Sequence, residues 1–202
     1  MTDKTLIIAT KNAGKAEEFK ALFKSRGYSI KTLLDFPELE DVEETGTTFE
    51  ANALLKAETI SKELNQLVIA DDSGLRVNAL GGMPGIFSAR YAGEQKNDAS
   101  NNAKLLADLG EEDNSDRSAS FHCTLAVAHP EKTSLVVHGQ IDGIIAEFPT
   151  GEHGFGYDPL FYIEKLDKTM AELTQEQKNK ISHRANALVK LDKVFDKWIG
   201  EA

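Results

Sequence analysis

A fold that mixes strands and helices, α/β or α+β, is predicted by three observations. Apolar runs of strand length recur at residues 5–9, 67–70 and 120–128. Amphipathic stretches of helical period lie among them. No internal repeat, low-complexity segment or linker splits the chain. The 202 residues with 41% apolar content suffice for one core-bearing domain, expected to span 1–202 with room for two lobes around a cleft.

Residues 5–9 form a short buried strand running into Thr10, Lys11, Asn12, Ala13, Gly14 and Lys15. A helix follows to about Arg26, with Phe19, Leu22 and Phe23 on one face and Gly27 as its stop. Residues 29–33 make a second strand, and 38–46 an acidic loop. Thr47 and Glu50 form a capping-box pattern opening a helix to about Leu64, whose apolar stripe is Ala53, Ala57, Ile60 and Leu64. The strand at 67–70 is expected to end at Asp71-Asp72-Ser73-Gly74, with 75–80 extended again and a tight loop at 81–85. Residues 98–109 are helical and closed by Gly110, before a polar loop at 111–118. Residues 120–128 and 134–145 form a hairpin joined through Pro130. A glycine-rich loop occupies 151–158. Thr174 with Gln177 caps a short helix, and Ser182 caps the last one, whose stripe is Leu188, Leu191, Phe195 and Trp198.

Charge narrows the partners. Lys plus Arg number 23 against 33 Asp plus Glu, a net charge of −10. A phosphate backbone needs a basic surface, so duplex nucleic acid is excluded as the main partner. A small anion remains compatible if a few lysines converge and a divalent cation screens the rest. No apolar stretch approaches the roughly 18–20 residues that span a bilayer, so no membrane partner is expected. The N-terminus lacks a signal-peptide pattern. Cys123 is the single cysteine, which excludes an internal disulfide and points to the cytoplasm.

Five constellations carry candidate chemistry. Thr10 to Lys15 stands between strand and helix, where free amides and the helix dipole suit phosphate. It is not a Walker A loop, because Ala16 follows Lys15; the competing reading is an ordinary turn. Glu43-Glu44-Thr45-Gly46 precedes a helix start, where a carboxylate also simply suits the dipole. Lys56 shares a helix face with Asn52, and a solvated lysine is its plainer reading. Asp71-Asp72-Ser73 follows a buried strand. Successive strand side chains face opposite ways, so both acids reach one metal only if the backbone bends at Asp72; otherwise one serves the site and the other the loop. Phe155-Gly156-Tyr157-Asp158 sets an aromatic between glycines beside a ligand or, equally, in a packed turn. Lys178 with His183 and Arg184 gathers donors at a helix start for a keto oxygen or a phosphate, or caps the helix. His122, His129, His138 and His153 read as structural or surface residues.

Taken together, these blocks, with Leu80-Gly81-Gly82-Met83-Pro84-Gly85 and Ser88-Ala89-Arg90-Tyr91, stand in the order of the inosine triphosphate pyrophosphatase family, also described as XTP/dITP diphosphatases, which the chain resembles from about Leu6 to Leu191. The resemblance implies an α/β fold with a long mixed sheet flanked by helices, two lobes with the active-site cleft between them, and a homodimer. It implies Mg²⁺-dependent release of pyrophosphate from ITP, dITP or XTP. It places the metal on Glu43 and Asp72, with Asp72 as the catalytic carboxylate. Thr10, Lys11, Asn12, Ala13, Gly14, Lys15, Lys56 and Ser73 would bind the triphosphate. Phe155, Gly156, Tyr157, Asp158, Lys178, His183 and Arg184 would contribute to substrate and base recognition. Alternatives are a pyrimidine-directed pyrophosphatase, a non-catalytic nucleotide-binding module and a phosphatase releasing orthophosphate.

Overall fold

A computed structural model describes residues 4–24, 26–111 and 116–200 of the chain. Its strands are β1 (Lys4–Ile8), β2 (Tyr28–Thr32), β3 (Leu67–Val77), β4 (Ser118–His129), β5 (Lys132–Ile145), β6 (Phe161–Ile163) and β7 (Lys168–Thr169). Its α-helices are α1 (Ala13–Lys24), α2 (Phe49–Leu64), α3 (Asp98–Glu111), α4 (Gln175–Ile181) and α5 (His183–Ile199). The strands join one mixed sheet in the order β2-β1-β3-β4-β5-β6-β7. β1 pairs in parallel with β2 and β3, while β6 pairs antiparallel with β5 and β7. The fold class is mixed α/β, with helices flanking the sheet. Among the described residues no helix is long and apolar enough to cross a membrane.

The chain folds into two compact units. The first takes the residues up to Asp72, Cys123–Gly139 and those from Ala187 onward; the second takes Ser73–His122 and Gln140–Asn186.

The first unit is organised by strand alternation. Leu6, Ile8, Leu67, Ile69, Leu125 and Val127 turn to one side and pack with Phe19 and Phe23 of α1 and with Ala187, Leu191 and Phe195 of α5. Cys123 belongs to this layer and is 1% exposed. Ile7, Ala9, Val68, Ala70, Ala126 and Ala128 turn the other way and pack against Ala53, Ala57 and Ile60 of α2. The small residues of that second layer bring α2 close to the strands. The helical stripes of α2 and α5 are therefore core stripes, with Leu64, Leu188 and Trp198 at their partly buried margins. Phe195 meets Phe23 and Tyr28 edge-on, with ring centroids 4.9 and 5.9 Å apart.

In the second unit, Leu75 and Val77 of β3, Leu105 and Leu109 of α3, and Phe121, Tyr157, Leu160 and Phe161 build a separate core. The loop at 81–85 turns through positive φ at Gly81, Gly82 and Gly85 and leads into a 3-10 turn, Gly85–Arg90.

Four local expectations differ from the structure. β3 does not end at Asp71; it continues to Val77, because strand pairing keeps Ser73-Gly74 extended where local sequence suggested a turn. The cap of α2 is Thr48, whose side chain accepts from the Ala51 amide at 3.0 Å, not Thr47. Gly110 lies within α3 rather than closing it; residues 112–115 of the expected loop lie outside the described residues. α1 ends at Lys24. The capping box of Thr174 and Gln177 is present on α4, and Ser182 Oγ accepts from the Ala185 amide at the start of α5 at 3.1 Å.

Phe195 is fully buried at the junction of α1, α5 and β2. Phe195→Ala is expected to destabilise the protein by about 3–5 kcal/mol, measured by urea unfolding. A loss below about 1 kcal/mol would show that the aromatic cluster is not a main source of cohesion in this layer.

Candidate active site

The polar groups of the first unit converge where β3 carries Asp71 and Asp72. The two carboxylates are 5% and 9% exposed, on neighbouring residues of a continuous strand. Alternation sends them opposite ways. Asp71 follows Ile69 to the α1 layer, where its Oδ2 accepts from Lys15 Nζ at 2.9 Å. Asp72 follows Ala70 to the α2 layer, where Lys56 Nζ stands 3.9 Å from its Oδ1. The backbone does not bend to bring both acids to one point. Of the two arrangements open from sequence, this is the one with separate duties.

Lys15 is delivered by the strand-to-helix junction. Asn12 caps α1: its Oδ1 accepts from the Lys15 amide at 3.1 Å, and its own amide donates to Thr10 Oγ1 at 3.1 Å. Ala13 and Gly14 form the first turn, so the amides of this segment lie at the positive end of the helix. Lys11 is exposed and pairs with Asp41 at 2.6 Å. Ser73 follows Asp72 within β3 and is half-buried.

Lys56 is the hub of the α2 side. Its Nζ donates to Glu44 Oε1 and to the main-chain oxygen of Asp71, each at 2.7 Å. Burial pulls its pKa down, but Asp71, Asp72 and Glu44 outweigh that and hold it raised. Asp72 is pushed up to about 6, chiefly by burial; Lys56 opposes this, Glu44 adds to it, and a hydrogen bond from Asn52 opposes it.

The structure puts Glu44, not Glu43, beside Lys56 and Asp72, while Glu43 is exposed. Exposure alternates from Asp41 to Gly46, and Val42 packs on the α2 layer, so Glu44 turns inward with it. A two-residue period counted from Val42 was the sequence signal for this. Among the described residues no three His, Cys, Asp or Glu side chains converge as a ready-made metal cage. Mg²⁺ favours hard oxygens and is commonly held by one or two carboxylates, with substrate phosphates and water completing the shell. Asp72 and Glu44 are such donors, and a cation between them would offset the repulsion that Glu44 adds to the effect of burial on Asp72.

The second unit holds the other expected residues. Asp158 and Lys178 form a buried ion pair at 2.8 Å, 8% and 7% exposed. Asp158 Oδ2 also accepts from the Phe155 amide at 3.2 Å. Burial raises Asp158, while Lys178 and the charge of Arg184 oppose that. Gly154, at φ +89°, covers the pair: a Cβ there would lie 2.0 Å from Asp158 Oδ2 and 2.2 Å from Lys178 Nζ. Asp98 and Asn102 of α3 grip the next glycine, Asp98 Oδ2 accepting from the Gly156 amide at 2.7 Å and Asn102 Nδ2 donating to its carbonyl at 2.9 Å. Phe155, held between these anchors, is 58% exposed, while Tyr157 is buried and donates to the Ser88 carbonyl at 2.8 Å. The His183 ring stacks on Phe121 at 5.0 Å, and Arg184 is buried. Sequence reasoning missed Glu44 as the inward acid, Asn52, and the two α3 residues that hold Gly156. Tyr91 is tied by its hydroxyl to Asp108.

Known proteins share this architecture. The Ham1 family profile matches residues 6–194. The dITP/XTP pyrophosphatase of Geobacillus kaustophilus is 59% identical over 197 residues, covering 98% of this chain and 97% of that protein. That of Bacillus subtilis is 53% identical over 193 residues, covering 96% and 98%. Among solved structures, the Ham1 protein of Staphylococcus aureus is 49% identical with a TM-score of 0.90, covering 96% of this chain and 99% of the other. A HAM1 protein from Coxiella burnetii is 41% identical with a TM-score of 0.91 and the same coverage. With its fold and nearly its whole length matched, the chain belongs to the Ham1 family.

Proposed function

We propose that this protein hydrolyses non-standard purine nucleoside triphosphates of the dITP and XTP kind to the nucleoside monophosphate and pyrophosphate. The reading is carried by one observation above all: relatives named dITP/XTP pyrophosphatase match it at 52–59% identity over nearly their full length. The polar cluster of the first unit supports it, because it offers what a triphosphate hydrolase needs. Mg²⁺, held by Asp72 and Glu44 with the substrate's phosphates, would polarise the reacting phosphate and acidify water.

Asp72 is buried with Lys56 3.9 Å from its Oδ1. It orients the attacking water by accepting its hydrogen bond, while the metal would lower the water's pKa. Lys56 fixes the Asp71 main chain and Glu44 together and leaves its positive charge beside Asp72. Lys15, with the amides of Thr10 to Lys15 and with Lys11 and Ser73, meets the triphosphate; its bond to Asp71 is the contact a phosphate would compete for. In the second unit, exposed Phe155 gives the base a face to stack on. His183, Arg184 and the Asp158–Lys178 pair set the donors that accept a 6-keto purine and refuse the 6-amino group of adenine. Two copies of the chain, acting in the cytoplasm, complete the reading.

The direct test is product analysis with Mg²⁺ and a panel of ITP, dITP, XTP, ATP, GTP, CTP and dTTP. Pyrophosphate with monophosphate, at least about tenfold faster for the non-standard purines (about 1.4 kcal/mol), is expected. Orthophosphate or a pyrimidine preference would overturn the reading. Asp72→Asn is expected to lower turnover about 10²- to 10⁴-fold; near-wild-type turnover at saturating Mg²⁺ would remove Asp72 from the chemistry.

The same substitution has an opposite sign in stability. The folded-state pKa of Asp72 lies above its ordinary value of 3.8, so the fold binds its proton more tightly than the unfolded chain does. Stability contributed by this group is present below pH 4 and lost as pH rises through about 6. Metal-free Asp72→Asn is therefore expected to be more stable than wild type at pH 7.5, by on the order of 1–3 kcal/mol, with the gap closing towards pH 4. Equal melting temperatures across that range would contradict the burial argument. Arg184→Ala is expected to reduce discrimination against dGTP about tenfold in kcat/KM relative to dITP; an unchanged ratio would move base reading to Phe155 and the loop amides.

A further inference from the structure

The first turn of α3 serves a distant glycine. The helix has its own cap in Asn97, whose Oδ1 accepts from the Ser100 amide at 2.9 Å, which leaves the Asp98 side chain for another partner. Asp98 and Asn102 share one face of α3 by their i, i+4 spacing, and both reach Gly156. Asp98 Oδ2 accepts from the Gly156 amide at 2.7 Å, and Asn102 Nδ2 donates to the Gly156 carbonyl at 2.9 Å. The chemistry fixes each end: a carboxylate only accepts, and a carbonyl must be met by the NH₂ group. α3 is itself held by Leu105 and Leu109 in the core. Gly156 stands at φ +61°, and a Cβ there would meet nothing within 4 Å. On that side no packing restrains the residue type with the most freedom to lose. Its neighbour Phe155 is 58% exposed, so burial restrains that ring little. On the other side Tyr157 is buried and bonded to the Ser88 carbonyl. The two α3 bonds thus clamp both polar groups of the residue between an exposed ring and a buried one.

We propose that Asp98 and Asn102 are positioning residues for nucleotide binding, holding Phe155 in the orientation in which it stacks on the base. The assignment rests on the functional reading above. An exposed ring beside an unrestrained glycine samples many orientations, and a ligand that needs one of them must order the turn at the expense of affinity. The clamp orders the turn before the ligand arrives. Its effect therefore falls on binding of the base and not on the phosphate chemistry. It is also blind to the substituents that separate hypoxanthine from guanine, because every base offers a π-face.

Swapping acid and amide has opposite outcomes at the two positions. Asp98→Asn keeps an oxygen for the Gly156 amide, and Asp98→Ala removes it. Asn102→Asp sets an acceptor against the Gly156 carbonyl. Asp98→Ala and Asn102→Asp are expected to raise KM for dITP about 5- to 30-fold, part of what one stacked base contributes, with kcat within about twofold. Asp98→Asn is expected to stay within about threefold of wild type in both constants. The ratio of kcat/KM for dITP to that for dGTP is expected to hold in all three. On a Phe155→Ala background, Asp98→Ala is expected to add less than about twofold in KM, since the ring it orients is gone. An unchanged KM in Asp98→Ala, equal losses in Asp98→Ala and Asp98→Asn, a loss confined to kcat, or a full further rise on the Phe155→Ala background overturns the assignment. Asp98 is exposed, so its variants are expected to melt within a few degrees of wild type. If Asn102→Asp does not fold, the Asp98 pair decides.

The order of the turn can be read without turnover. In ¹⁵N-labelled protein free of nucleotide, the Gly156 amide is expected to show an order parameter of about 0.85 in wild type and Asp98→Asn, and below about 0.6 in Asp98→Ala. A value that stays high in Asp98→Ala overturns the clamp whatever the enzyme does. Wild type that releases no pyrophosphate from dITP, with the drop present, sinks the reaction and leaves the clamp standing.

Discussion

The polar cluster of the first unit depends on β3 staying a strand through Asp71 and Asp72. Strand alternation gives each acid its own side and its own lysine. A turn at Asp71, the local preference of Asp-Asp-Ser-Gly, would release both carboxylates to solvent and leave Lys15 and Lys56 without their partners. Pairing of β3 within the sheet suppresses that turn. The cost is the burial of two carboxylates in succession, with Glu44 close by. The compensation is two ammonium groups, delivered by helices anchored in separate hydrophobic layers. The cores fix the reach of each lysine, and the lysines make the acids tolerable.

The second unit solves a similar problem with one pair instead of two. Asp158 and Lys178 are buried together, and the backbone of residue 154 can pack directly on them only because it lacks a side chain. The Phe155 amide adds a second hydrogen bond to the Asp158 carboxylate. Buried pairs of this kind contribute little net stability. This one anchors both the start and the end of the turn that displays Phe155, and α3 holds Gly156 from the other flank. An exposed aromatic on a turn fixed at three points is a more defined surface than its 58% exposure suggests.

Much of this was legible in the sequence where one period dominated. The stripes of α2 and α5, the hairpin strands and the cap of α4 follow from spacing alone, because their partners lie within a few residues or on one apolar face. The extent of β3 was not legible, since pairing with distant strands overrides the turn preference of Ser73-Gly74. Thr47 and Thr48 are chemically equivalent as caps, and only the start of α2 chooses between them. Gly110 stops no helix here, because the burial of Leu105 and Leu109 outweighs its weak propensity. The motif residues of the candidate site could be listed from sequence, but their division of labour could not. The choice of Glu44 over Glu43 depends on which way an extended segment faces.

The burial of Cys123 has a practical consequence. The only thiol in the chain lies at 1% exposure inside β4, in the layer shared with α1 and α5. Thiol reagents need an accessible thiolate, so in the native protein they can act only when that layer opens. Labelling of Cys123 therefore acts as a built-in clock for opening of the first unit, against which a bound nucleotide or cation would register as a slowed rate.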